Sequence, residues 1–311
     1  MPVRKHNNEF KFFGEVSAAD FDLPELRTDA VRLELSECHF TDLDTCVLPE
    51  MTNLQHLELD GGNLTADLFR NLHLSKRLSS MRLNYWHVNQ LGDDFMVQLC
   101  RCSSLEHLRF CKSKVTDKGM LELVNLPNLQ RLEIGNRNVT DAAANSLAKC
   151  NALERLEILY SNLTDEGVRQ FASLPNLTEL WLSGCAVSPA IGQTLTKFES
   201  LEKVILYDVV VDSASAKAFA SMSSLKKLLV LADCWTIEDL ETVTESNSLM
   251  ELALDMPIEE DDHMWTRLDR SELLKIRKNA SLEEKLSSLP FEFLAGPINS
   301  REDFLKHHHG G

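Results

Sequence analysis

The side chains of this chain best suited to chemistry are scattered histidines and cysteines, with arginines and aromatics near the middle. His56 and His107 hold equivalent places in a repeated unit, two copies apart. Neighbouring strands lie about 4.8 Å apart, so roughly 10 Å separates the two rings, too far to share a metal ion. Cys100-Arg-Cys102 has no second cysteine pair to complete a zinc site. Cys111 is expected to face solvent, but a lone thiol is weak evidence for catalysis. Cys38, Cys185 and Cys234 read as packing residues in turns. The chain has no phosphate-binding loop, no GxGxxG, no HExxH and no nucleophile elbow. The expectation is a non-enzyme that needs no cofactor and no metal.

Two groups look made for binding instead. Arg82, Arg109, His107 and Lys112 lie near Tyr85 and Trp86, a mixture that could grip a carboxylate. The alternative is that these cations simply balance Glu58, Glu106 and Glu133. The second group is apolar: Trp181, Ile205 and Leu229, with Leu159, Tyr160 and Tyr207 beside them. Contiguous exposed apolar surface of this kind marks a contact site, and Trp and Tyr are favoured anchors. The alternative is that the C-terminal tail folds back over it.

These groups exist only because of the elements that carry them. The pattern L-x-x-L-x-L opens at Ala30, Leu54, Leu78, Leu105, Leu129, Leu153, Leu177, Leu201, Leu225 and Leu249. The interval is 24 residues except between Leu78 and Leu105, where it is 27. A fixed period in this range marks a solenoid. In the copy from Leu153, Leu156 and Ile158 alternate with Arg155 and Glu157, the period-two signature of a strand with one buried face. Thr164 and Asp165 then suit the start of a helix, one capping it and one facing its positive end. Val168, Phe171 and Leu174 give the helix an apolar side, and Pro175 ends it. The third, fifth and seventh residues of each copy should face away from the helices. The fifth-position column is charged from Glu34 to Glu157 and apolar from Trp181 to Ala253. Asn63, Asn138 and Asn162 hold one turn position, where their side chains should bond neighbouring backbone.

The pattern resembles the leucine-rich repeat superfamily across roughly residues 30–265. Leu-Thr-Asp-Glu-Gly (163–167) and Val-Thr-Asp-Lys-Gly (115–119) look like its ribonuclease-inhibitor-like and cysteine-containing classes, as do Cys102 and Cys150, each three residues before an opening leucine. The resemblance implies an α/β solenoid with parallel strands on a concave face and helices on the convex face. It also implies non-catalytic protein recognition, as scaffold, adaptor or inhibitor. A second implied reading is a substrate receptor in ubiquitin ligation, although residues 1–29 look too short for the usual adaptor module.

Residues 1–29 lack the repeat, and Phe10, Phe12, Phe13 and Val16 read as an N-terminal cap. Residues 266–311 read as a C-terminal helical cap or tail, with Leu268, Leu273, Leu274 and Ile276 at helical spacing. The net charge of −16 argues against nucleic acid and favours a basic protein partner. A homodimer fits the pattern too. No run is apolar enough to cross a membrane, and the opening residues do not read as a secretory signal. With eight cysteines in no regular pairing pattern, a cytoplasmic setting is expected.

Overall fold

The computed structural model describes residues 3–41, 48–60, 63–83, 91–231, 235–259 and 262–269. The chain divides into two compact units, Met1–Thr178 and Glu179–Gly311.

The first unit carries strands β1 (Val3–His6), β2 (Glu9–Val16), β3 (Arg32–Phe40), β4 (His56–Asp60), β5 (Ser80–Leu83), β6 (His107–Cys111), β7 (Arg131–Gly135) and β8 (Arg155–Leu159). Its helices are α1 (Pro24–Thr28), α2 (Asp93–Leu99), α3 (Asp117–Met120), α4 (Asp141–Leu147) and α5 (Asp165–Gln170). β1 pairs antiparallel with β2. From β2 to β8 each strand pairs parallel with the next.

From β3 onward, each strand begins two residues after an opening position of the repeat. Leu33, Leu57, Met81, Leu108, Leu132 and Leu156 meet in register, and all are buried. So are Leu35, Leu59, Leu83, Phe110, Ile134 and Ile158 two residues later. Burying one such side chain contributes about 1.5–3 kcal/mol. His56, Arg82 and Arg131, of opposite parity, stay exposed. The helices therefore cover the leucine face, and the charged side chains of opposite parity lie on the other face. Residues 1–29 contribute β1, β2 and α1, with Phe12 packed 5.0 Å from Phe21 between ring centroids.

The helix starts follow the expected chemistry. Thr116, Thr140 and Thr164 each accept a hydrogen bond from the backbone N–H two residues on. The first aspartate of a helix does more than face its own helix. Asp93 accepts from Thr116 N at 2.8 Å and Thr116 Oγ1 at 2.9 Å, and also from Gly119 N at 3.0 Å. Asp117 binds Thr140 N and Oγ1 at 2.8 and 2.7 Å, and Asp141 binds Thr164 N and Oγ1 at 2.8 and 2.6 Å. Each carboxylate thus locks the cap of the next repeat. The glycine of Thr-Asp-x-Gly makes room for it: a Cβ on Gly119 would lie 2.5 Å from Asp93 Oδ1, and one on Gly167 would fall on Asp141 Oδ1.

Asparagines form a second set of links. Asn63 both accepts from Phe40 N and donates to Phe40 O, and Asn162 donates to Arg137 O. In the copy holding Asn138, buried Asn136 makes the bond to backbone, donating to Val115 O. Asn53, Asn128 and Asn176, each just before an opening leucine, donate to the carbonyls of Thr28, Ser103 and Asn151.

The second unit carries β9 (Glu179–Ser183), β10 (Lys203–Val210), β11 (Lys227–Leu231), β12 (Glu251–Glu259) and β13 (Asp262–Asp269), with α6 (Ile191–Leu195), α7 (Ser213–Ser221) and α8 (Ile237–Thr244). β9 to β12 are parallel in chain order. β13 turns back antiparallel to β12, its backbone pairing running from Asp262 to Asp269. The sequence pattern ends the repeat at 265 and sets helical spacing from 266. Strand pairing instead carries through both positions, because ladder hydrogen bonds override a weak local periodicity. Leu273, Leu274 and Ile276 lie outside the described residues, as do Tyr85, Trp86 and Cys234.

Candidate recognition surface

On the open strand face of the first unit, two rows of polar side chains run across the strands. One passes through Arg32, His56, Ser80, His107 and Arg131, the other through Glu34, Glu58, Arg82, Arg109, Glu133 and Glu157. Strand parity puts all of these on one side.

Most of the charges are neutralised by neighbours. Lys11 meets Glu34 at 2.5 Å, Arg32 pairs with Glu58, Arg109 Nε lies 3.1 Å from Glu133, and Arg155 Nε lies 2.6 Å from Glu157. The expected carboxylate grip is therefore split. Arg109 is half-buried and balanced by Glu133. Arg82 is exposed, and Glu58 beside it is engaged by Arg32. Arg131 is also exposed, and neither Arg82 nor Arg131 forms an ion pair among the described residues. Burial and the nearby arginines hold the His56 and His107 imidazoles below the usual histidine range, Arg32 and Arg82 acting on the first and Arg131 on the second. Both rings are thus biased toward the neutral, hydrogen-bonding form. Lys112 is exposed, at a backbone φ of 53°.

Glu133 and Glu157 sit opposite one another on β7 and β8, and both are buried. Burial first, and then the Glu133 charge, push the Glu157 carboxyl up to about 7 despite Arg155. Cys111 has the parity of the open face but is fully buried, its Sγ 3.8 Å from Glu133 Oε1. Gly135 on the next strand makes room for it, since a Cβ there would stand 2.8 Å from that sulfur. The expectation of an exposed thiol is corrected accordingly. Burial also raises the Cys38 and Cys102 thiols to about 12 and Cys150 to about 11, leaving them protonated and unreactive.

In the second unit, Trp181, Ile205, Leu229 and Ala253 meet in register across β9 to β12, with Tyr207 packed against them. The sequence suggests exposed anchors here, and the structure corrects this. Their exposures are 2%, 1%, 2% and 5%. The row has opposite parity to Leu180, Leu182, Val204 and Leu206, which are buried as well, so these strands bury both faces. The physical reason is mutual packing of large apolar side chains in register, with Tyr207 against them. A tryptophan alone buries about 150–250 Å², and such area removed from water stabilises by about 25 cal/mol per Å². Charges flank the row: Lys203 Nζ lies 5.0 Å from the Trp181 ring centroid and 3.6 Å from Glu179, and Lys227 lies 3.4 Å from Glu251.

Leu159, on β8, is buried too. Tyr160 is half-buried and left-handed, with φ of 49°. Glu37, Lys112 and Asp208 take the same conformation, and Gly184 does so at φ of 56°. All five are the eighth residue of a repeat: Lys112, Tyr160 and Gly184 directly follow their strands, and Glu37 and Asp208 lie within β3 and β10 where the strand register shifts. Tyr160 is thus a turn residue before it is anything else.

Several participants escaped sequence reasoning: Arg131, the buried Glu133–Glu157 pair and the aspartate-to-threonine ladder. The ladder did leave a trace, the recurrence of Thr-Asp at 116, 140 and 164. Among the described residues no group of three His, Cys, Asp or Glu side chains could hold a metal ion, and no helix is long and apolar enough to cross a membrane.

No family model matches the chain, and neither does any curated protein. Among solved structures it is similar to an internalin (inlF) from Listeria monocytogenes, at 21% identity over 73% of this chain and 70% of that one, with a TM-score of 0.54. It is also similar to a chain in the octameric complex of Latrophilin 3, Unc5D and the leucine-rich repeat part of FLRT2. There the identity is 16% over 84% of this chain and 94% of that one, with a TM-score of 0.51. At these identities the likeness concerns the fold, which is that of a leucine-rich repeat solenoid.

Proposed function

We propose that this chain is a non-catalytic protein-recognition module that binds its partner on the strand face of its first unit. The observation that carries this is Arg82 with Arg131: two exposed guanidinium groups on strands β5 and β7, without an ion pair among the described residues, on a face whose other charges are largely matched. A guanidinium so placed suits a bidentate bond to a carboxylate, from an acidic side chain or a chain terminus. The net charge of −16 favours a partner that is basic overall, with the arginines setting register after encounter. The complex recorded for FLRT2 is one in which a chain of this fold joins other proteins, which supports the reading by analogy of fold only.

The finer roles follow from the same reading. We assign the Thr-Asp-x-Gly repeats to the ribonuclease-inhibitor-like or cysteine-containing class, supported by the threonine caps and by buried Cys102 and Cys150. Residues 1–29 act as the N-terminal cap, and the module serves as an adaptor or inhibitor. The Trp181 row is a packed floor rather than a bare anchor. The buried free thiols support a reducing, intracellular setting.

The test is affinity capture from native lysate on immobilised chain, comparing wild type with Arg82→Glu/Arg131→Glu. Protein species held by wild type should be lost from the variant, with the circular-dichroism spectrum unchanged. Identical retention by both would refute the assignment.

A further inference from the structure

A second surface lies on the helices of the first unit, away from the strand face. Val97 and Leu121 are each four residues beyond the aspartate that opens their helix, Asp93 and Asp117, and so hold one place in two successive repeats. Leu121 is 51% exposed and Val97 46%. Val124, three residues past Leu121 and so on the same side of the chain, is 45% exposed, and Leu74, which holds the place of Arg101 one repeat earlier, is 36%. Among the described residues, only Val210 and Met250 in the second unit join these four as exposed large hydrophobics. The patch is bounded. In the next two repeats the place of Val97 and Leu121 passes to Asn145 and Arg169, both exposed and polar.

Cations edge this patch. Lys118 stands three residues before Leu121, on the same helical side. Arg101 and Lys149 are each eight residues past the opening aspartate of their repeat, with Asn125 at that place between them. Arg101 also lies four residues after Val97 and bonds Gln98 and His73. Lys118 and Lys149 are exposed and make no ion pair with a described residue. Beside the ladder aspartates Asp93, Asp117 and Asp141, the acids on these elements are Asp94, exposed on α2, and Glu122, bonded to Asn125. An apolar patch edged by cations, in a chain of net charge −16, is a local inversion of the molecule's character.

From this we infer that the patch of Leu74, Val97, Leu121 and Val124 docks an amphipathic helix from another protein, one whose apolar side is bordered by acidic residues. Packed helices lie about 8–10 Å apart, which sets the step from Val97 to Leu121. Side chains seven apart on a docked helix are separated by about 10 Å, so one heptad spans that step. Lys118, Arg101 and Lys149 match the acidic border.

The test uses the full chain and two synthetic 18-residue helices with leucines at heptad spacing, one bordered by glutamates and one by lysines, followed by fluorescence anisotropy. The glutamate peptide should bind, and more tightly than the lysine peptide. Leu121→Asp should weaken it at least ten-fold, and Lys118→Glu several-fold, with the melting temperature unchanged. Val97→Asp serves if Leu121→Asp fails to fold. Arg82→Glu/Arg131→Glu should leave this binding intact, which separates it from recognition on the strand face. Three outcomes would overturn the inference: no binding of the glutamate peptide, equal binding of both peptides, or concentration-dependent dimers abolished by Leu121→Asp, which would make a second copy the occupant.

Discussion

Replacing Asp141 by alanine tests how the repeats are joined. The Asp141 carboxylate accepts two hydrogen bonds from the next repeat, from Thr164 N at 2.8 Å and Thr164 Oγ1 at 2.6 Å. Bonds to a charged acceptor contribute about 1.5–3 kcal/mol each, less where water reaches them, as it does at this half-buried pair. Asp141 is also the first residue of α4, where a negative charge contributes about 0.3–1 kcal/mol. The expected loss is about 2–4 kcal/mol, read from urea denaturation followed by circular dichroism. Thr164→Ala removes the cap of α5, at about 1–2 kcal/mol. Because one bond is shared, the double variant should lose about 1–2 kcal/mol less than the two single losses added. Glu166→Ala is the control. That carboxylate also lies in the first turn of α5 but, among the described residues, pairs with exposed Arg169, at 2.7 Å, so about 1 kcal/mol or less is expected. An Asp141→Ala loss no larger than that of Glu166→Ala, or strict additivity with Thr164→Ala, would refute the ladder as a structural joint.

Two further substitutions address the buried rows. Trp181→Ala should cost about 3–5 kcal/mol and lower the melting temperature, since the indole is buried; a change under about 1 kcal/mol would show that the row is only loosely covered. Glu157→Gln should change how stability depends on pH. The folded-state value of Glu157 is raised above its unfolded one, so its favourable contribution is complete below about 4.5 and is lost as pH rises through about 7. Wild type should therefore weaken relative to the variant between about pH 4.5 and pH 7, by no more than about 3 kcal/mol; parallel stability curves would refute the assignment.

The spacing of the leucines was enough to place every strand from β3 to β12, because each opening leucine is followed by the same alternation of apolar residues. In the first unit it also separated the leucine face from the charged one, since Arg82 cannot share a side with Met81 and Leu83. What it could not do was tell an open apolar row from a covered one. Trp181, Ile205 and Leu229 read the same in either case, because the alternation of a strand records parity and not exposure. The division within the arginine cluster was hidden for a related reason: whether Arg109 or Arg82 is balanced depends on which glutamate lies within about 4 Å, and the period alone does not say. The strand character of residues 262–269 was missed because pairing with β12 supplies stability that no local pattern records.

The parity of the strands separates two kinds of inheritance. Leu108 and Leu132 can stay fixed while Arg82, His107 or Arg131 change freely, since neighbours in sequence point to opposite sides of the sheet. Such a lattice lets the exposed letters of a strand be rewritten while the leucine letters stay, so on the reading proposed above one scaffold serves many ligands.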